Sequence, residues 1–172
     1  AATHYTFPFF QERPFIHTGI YATASGKLLE KLSDMKTHTT NYINTFIEVS
    51  EDCPATKAKI PEEKNGKKTI ASLEYEIIKQ QPYQYTSDDV LFKVYVERNN
   101  LARENLSEER EKFFSKGQAC FCASPLTKAY GWGVHNNEDA KIALYGIGTK
   151  EYENFLKDNA VQKVKAMRNR KK

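Results

Sequence analysis

The sequence predicts an α+β fold: a single compact domain in which a small antiparallel sheet with a C-terminal hairpin is packed by three to four helices. Three observations carry this. Stretches with helix start and stop signals (69–81, 87–99 and 107–116) alternate with short β-rich stretches rather than with a regular βα repeat. Two of those β-rich stretches, 132–135 and 141–147, flank the turn sequence NNEDA. The chain has 172 residues, 40% of them hydrophobic, which suits one domain with a core that needs no disulfide staples.

Taken in order, residues 1–34 are aromatic and proline-punctuated, with no sustained period. They are expected to be an N-terminal extension, non-native or loosely packed, with Met35 as the natural start. The domain proper is expected over 35–159 and a basic C-terminal tail over 160–172. Within the domain, residues 44–50 (NTFIEVS) read as a strand. The proline-, glycine- and charge-rich stretch 51–68 reads as a long surface loop.

In 69–81, Ile70, Leu73 and Ile77, with Ile78, fall on one helical face, and Pro82 ends the helix. Ser87 is the expected cap of a second helix, with Asp88 and Asp89 in its first turn, where carboxylates favour the positive helix end. Its β-branched residues make a strand the rival reading. Ser107 is the expected cap of a third, which runs from acids to Lys116 and Gly117. Residues 118–122 are expected to be extended, and Ser124-Pro125 to open a short helix. The hairpin follows. Thr149 is expected to cap a last helix, and Val161, Val164 and Met167 are spaced for a helical tail.

Composition narrows the function classes. A mean hydropathy of −0.68 implies a very polar surface, and ten Tyr with ten Phe supply much of the packing area. The three cysteines, Cys53, Cys120 and Cys122, are odd in number and irregular in spacing, unlike a secreted disulfide framework. Reduced thiols in a cytoplasmic protein are the expectation. No apolar run reaches the roughly 18 residues of a membrane span, and none is expected. Ala22-Thr23-Ala24 looks like an export cleavage site, but FIHTGIY before it lacks a continuous apolar region. The P-loop, G-x-G-x-x-G, H-E-x-x-H and G-x-S-x-G patterns are absent, so no nucleotide or zinc-hydrolase chemistry and no cofactor are expected.

Several ordered motifs carry a resemblance: HTTNYINTFIEVSEDCP, PYQYTSDDVLFKVYVERN, EEREKFFSKGQACFCASPL, KAYGWGVHNNEDAKIALYG, EYENFL and VKAMR. From about Met35 to Lys172 the chain resembles the family of unknown function DUF6157, small bacterial single-domain proteins. The resemblance implies a compact cytosolic protein that starts near Met35. It supplies no catalytic residues. It also implies a basic residue where this chain has Cys122 in CFCASPL.

Four constellations could carry chemistry. The leading one is an aromatic binding pocket built from Tyr130, Trp132, His135 and Tyr145, with Arg98 or Lys128 supplying charge to a small molecule or protein partner. The second pairs Cys120 as nucleophile with His135 as base, because a thiol at its ordinary pKa is mostly protonated at neutral pH. The third gathers Cys53, Cys120, Cys122 and His135 around zinc; C-x-C is not the usual paired spacing, and no metal is expected. The fourth is a nucleic-acid contact through Lys163, Lys165, Arg168, Arg170, Lys171 and Lys172. These six cations stand in a stretch with no acid, so the net charge of +4 belongs to the tail. The leading functional class is thus a non-enzymatic binding or interaction module; a cysteine-dependent enzyme and a nucleic-acid-associated protein are the rivals.

Overall fold

The computed structural model describes residues 38–169, so the expected extension and the last three cations, Arg170, Lys171 and Lys172, lie outside the described residues. The described chain is α+β. Strand β1 (Thr45–Glu48) is followed by helices α1 (Ile70–Gln80), α2 (Ser87–Asn99) and α3 (Leu106–Ser115). A single 3-10 turn (Phe121–Ala123) leads into the short helix α4 (Pro125–Lys128). The hairpin β2 (Trp132–Asn136) and β3 (Ile142–Gly146), helix α5 (Lys150–Lys157) and strand β4 (Gln162–Lys165) complete it.

The sheet runs in the order β3-β2-β1-β4. It is antiparallel through β3, β2 and β1, as the hairpin turn predicts, but β4 lies parallel to β1, so the sheet is mixed. The helical spacing of Val161, Val164 and Met167 therefore gives no helix. Two valines are too little apolar surface for a helix, whereas the open edge of β1 offers a row of main-chain partners. Val164 is aligned with Ile47 in β1, and Met167 stays exposed.

Local signals explain most helix ends. Thr69 caps α1 in a capping box with Ser72. The second helix is capped by Thr86 in a box with Asp89, one residue before the expected Ser87. The third begins after Asn105, which adopts a left-handed conformation, rather than at Ser107. Ser124 and Thr149 cap α4 and α5 as expected, with Pro125 at the first position of α4. Residues 121–123 form the 3-10 turn where an extended piece was expected. Asp88 has a different task from its neighbour. It accepts bonds from the hydroxyls of Thr39 and Thr40 and from the Thr40 amide, which fixes the start of the described chain to α2.

Strand alternation divides the core in two. Ile47, Val134, Leu144 and Trp132 face α1 and α4 and join the larger cluster, with Val90, Phe121, Cys122 and Leu126. Phe46, on the other face, packs with Tyr152 of α5, Val49 and Val161. Gly133 is required there: a side-chain carbon at this position would meet Phe46 at 2.6 Å and Tyr152 at 2.7 Å. Among the described residues, no helix is long and apolar enough to cross a membrane.

Candidate functional site

The expected binding residues fall in different surroundings. Trp132 and Tyr145 line one cleft of about 700 Å³, together with residues 56–58, Lys79, Leu144 and Glu151. Trp132 is only 9% exposed. Its indole N–H donates to the Lys59 carbonyl at 2.8 Å, Tyr75 tilts against it at 5.2 Å, and the Lys79 ammonium sits 5.1 Å from the ring centre. Arg98 and Tyr130 instead line a separate depression of about 370 Å³, with Lys64, Lys67, Lys68 and the start of α1. Lys128 lines neither of these; its carbonyl accepts a bond from the Asn169 side chain.

His135 lies behind the first cleft. Tyr83 bridges it to Tyr145, with its hydroxyl 2.8 Å from His135 Nδ1 and 2.8 Å from the Tyr145 hydroxyl. The imidazole stacks on Phe155 with centroids 4.3 Å apart, and Nε2 has no hydrogen-bond partner among the described residues. Burial disfavours the imidazolium and holds the His135 pKa below its ordinary value, with the Asp158 charge opposing. The same desolvation, with the bond to Tyr145, pushes the Tyr83 hydroxyl far up.

The edge of β3 shapes the cleft further. Bonds from the Ile147 amide to Gly131 and from the Asn137 amide to Lys141 set the alternation along the hairpin, so Gly133 with Tyr145 and His135 with Ala143 are the bonded pairs, and Ile142, Leu144 and Gly146 point their main-chain groups outward. Ile142 is covered: its amide donates to the Tyr85 carbonyl and its carbonyl accepts from the Tyr83 amide. The Gly146 carbonyl accepts from Thr149. The Leu144 amide and carbonyl and the Gly146 amide have no partner among the described residues.

Cys120 does not meet His135. Phe46 is aligned with His135 across β1 and β2, which places the imidazole on the α5 face. Cys122 belongs to the opposite cluster and Cys120 packs against it. Cys53 lies with the α5 cluster, so the sheet also divides the zinc set. No group of three or more His, Cys, Asp or Glu side chains able to hold a metal occurs among the described residues. The partner that Cys120 does have is Tyr42, whose hydroxyl is 3.7 Å from the sulfurs of both Cys120 and Cys122.

The tail cations are partly engaged. Lys165 and Arg168 both pair with Glu51, and Lys163 donates to the Asp158 carbonyl. Those pairs hold the exposed Glu51 carboxyl below the ordinary carboxylate range.

Glu74 is the residue that sequence reasoning missed. It is 2% exposed, and Ser124 donates to it at 2.5 Å while also capping α4. Burial raises its carboxyl to about 7, against the opposing Ser124 bond. The signal was present: Ala71, Glu74 and Ile78 share one stripe of α1, rotated by one residue from the expected 70, 73 and 77.

A family model matches residues 37–172, and the chain belongs to that family, the family of unknown function DUF6157. Neither the curated proteins nor the solved structures hold a match to it.

Proposed function

We propose that this DUF6157 member is a binding module that takes an extended stretch of another polypeptide into the cleft beside Trp132 and Tyr145. The observation that carries the reading is the outward Leu144 amide and carbonyl, joined by the Gly146 amide, which have no partner among the described residues although Leu144 as a whole is only 6% exposed. An edge strand with free donors and acceptors is a template for an added strand. Peptide recognition by strand addition uses such groups for affinity and alternate side-chain pockets for selectivity. Here Trp132 and Tyr145 belong to opposite faces of the sheet, so successive side chains of an added strand would meet one aromatic ring on each side. Lys57, Lys79 and Glu151 in the lining give charged contacts that orient the peptide.

Nucleic-acid binding through the tail has less support, because Lys165 and Arg168 are held by Glu51 and Lys163 lies in a strand. Peptide selection from a random phage-displayed library tests the binding reading. Selected peptides are expected to shift the Leu144 and Gly146 amide resonances, slow their hydrogen exchange and change the fluorescence of the single tryptophan, Trp132. Tyr145→Ala is expected to weaken binding roughly tenfold. Selected peptides that leave both amides and Trp132 unperturbed, or a selection that returns no binder, would remove the reading.

A further inference from the structure

Cys120 and Cys122 stand two residues apart around a 3-10 turn, which the Ala123 amide closes onto the Cys120 carbonyl at 2.9 Å. The turn sets both sulfurs around one group, each 3.7 Å from the Tyr42 hydroxyl. The pair is asymmetric. Cys120 is half-buried, whereas Cys122 is 6% exposed and packs in the core. We propose that this pair is a thiol–disulfide exchange site for low-molecular-weight disulfides, with Cys120 as the attacking sulfur and Cys122 as the resolving one.

The electrostatics agree with the geometry. The neighbouring Cys122 thiol is the largest influence that holds the Cys120 thiol down to about 5; the Cys122 amide and the Tyr42 hydroxyl add to it, and burial opposes. Cys122 is pushed up, first by Cys120 beside it and then by burial. In the first step, the Cys120 thiolate attacks one sulfur of a disulfide R–S–S–R′. A Cys120–S–S–R bond forms, the R–S–S–R′ bond breaks, and R′S⁻ leaves. The negative charge beside Cys122, which raised its pKa, is thereby removed. Cys122 then yields its proton to the departing thiolate and attacks the Cys120 sulfur. The Cys120–Cys122 disulfide forms and RS⁻ leaves. The substrate is reduced by two electrons to two thiols and the protein is oxidised by two. Two equivalents of a low-molecular-weight thiol return the dithiol and become the disulfide. The size limit follows from the half-buried attacking sulfur. No step uses His135, which lies across the sheet.

The test treats the fully reduced full-length protein with glutathione disulfide at pH 7 and maps its thiols by mass spectrometry. The wild type is expected to form a Cys120–Cys122 disulfide with release of two glutathione molecules. Cys122→Ser is expected to stop as a stable adduct of one glutathione on Cys120, and Cys120→Ser to lose the reaction at both positions. Circular dichroism identifies a variant that fails to fold; the wild-type map alone then decides. The proposal is overturned if the wild type does not react, if the only modified thiol is Cys53, or if folded Cys122→Ser gives no trapped adduct on Cys120.

Discussion

The two faces of the sheet are built from alternate residues of the same strands, yet they carry different chemistry. The face toward α1 and α4 mixes aliphatic side chains with Trp132 and Phe121 around ionisable groups: Glu74 against Ser124, and the Cys120–Cys122–Tyr42 cluster at its margin. The face toward α5 is a stack of rings. Phe46 lies 5.0 Å from both Tyr152 and Phe155, and Phe155 continues onto His135 and Tyr145. A single-residue step along a strand moves a side chain from one to the other. His135 and Val134 are neighbours in the chain and face opposite cores. Residue types that look like a catalytic set in the sequence are therefore separated by the thickness of the sheet.

The largest expected effect comes from breaking the aromatic face alone. Phe46→Ala removes a fully buried ring and is expected to cost about 3–5 kcal/mol in denaturant unfolding. Alkylation of Cys120 in the folded variant should keep the wild-type pH profile. If the profile moves with Phe46, the faces are coupled and the separation fails.

A smaller effect distinguishes the faces by pH. The unfolded Glu74 carboxyl releases its proton near 4.5, whereas burial keeps the folded one protonated up to about 7. Between these values the folded state binds the extra proton, so stability falls as pH rises, by on the order of 3 kcal/mol in all. Glu74→Gln should abolish that slope in urea unfolding curves recorded from pH 4.5 to 8. The smallest effect belongs to His135 and has the opposite sign. Its folded pKa lies below the unfolded 6.5, so the unfolded state takes up the proton first on acidification. That stability is present above 6.5 and is lost as pH falls below it. His135→Phe should remove this loss and leave the Glu74 slope in place.

The parts of the fold legible in the sequence are those set by local chemistry. Ser124-Pro125, Thr149 and the NNEDA turn each specify their own structure within a few residues. Strand β4 was not legible, because QKVK has little pattern of its own and exists through pairing with β1, far away in the chain. Tyr42 was missed as the partner of the thiols for the same reason: 78 residues separate it from Cys120. Of the expected pocket, Trp132 and Tyr145 share a cleft because they sit at one end of the hairpin, whereas Arg98 reaches a different depression from the end of α2. Glu74 and Glu76 look alike in the sequence, and a step of two helical positions puts one in the core and the other in a surface pair with Lys68.

The division between the faces is tested most directly by the pH profile of Cys120 alkylation in three proteins: wild type, His135→Phe and Cys122→Ala. The profile is expected to have a midpoint near 5 in the wild type, the same midpoint in His135→Phe, and a higher one in Cys122→Ala. A midpoint that shifts in His135→Phe and stays in place in Cys122→Ala would contradict the account.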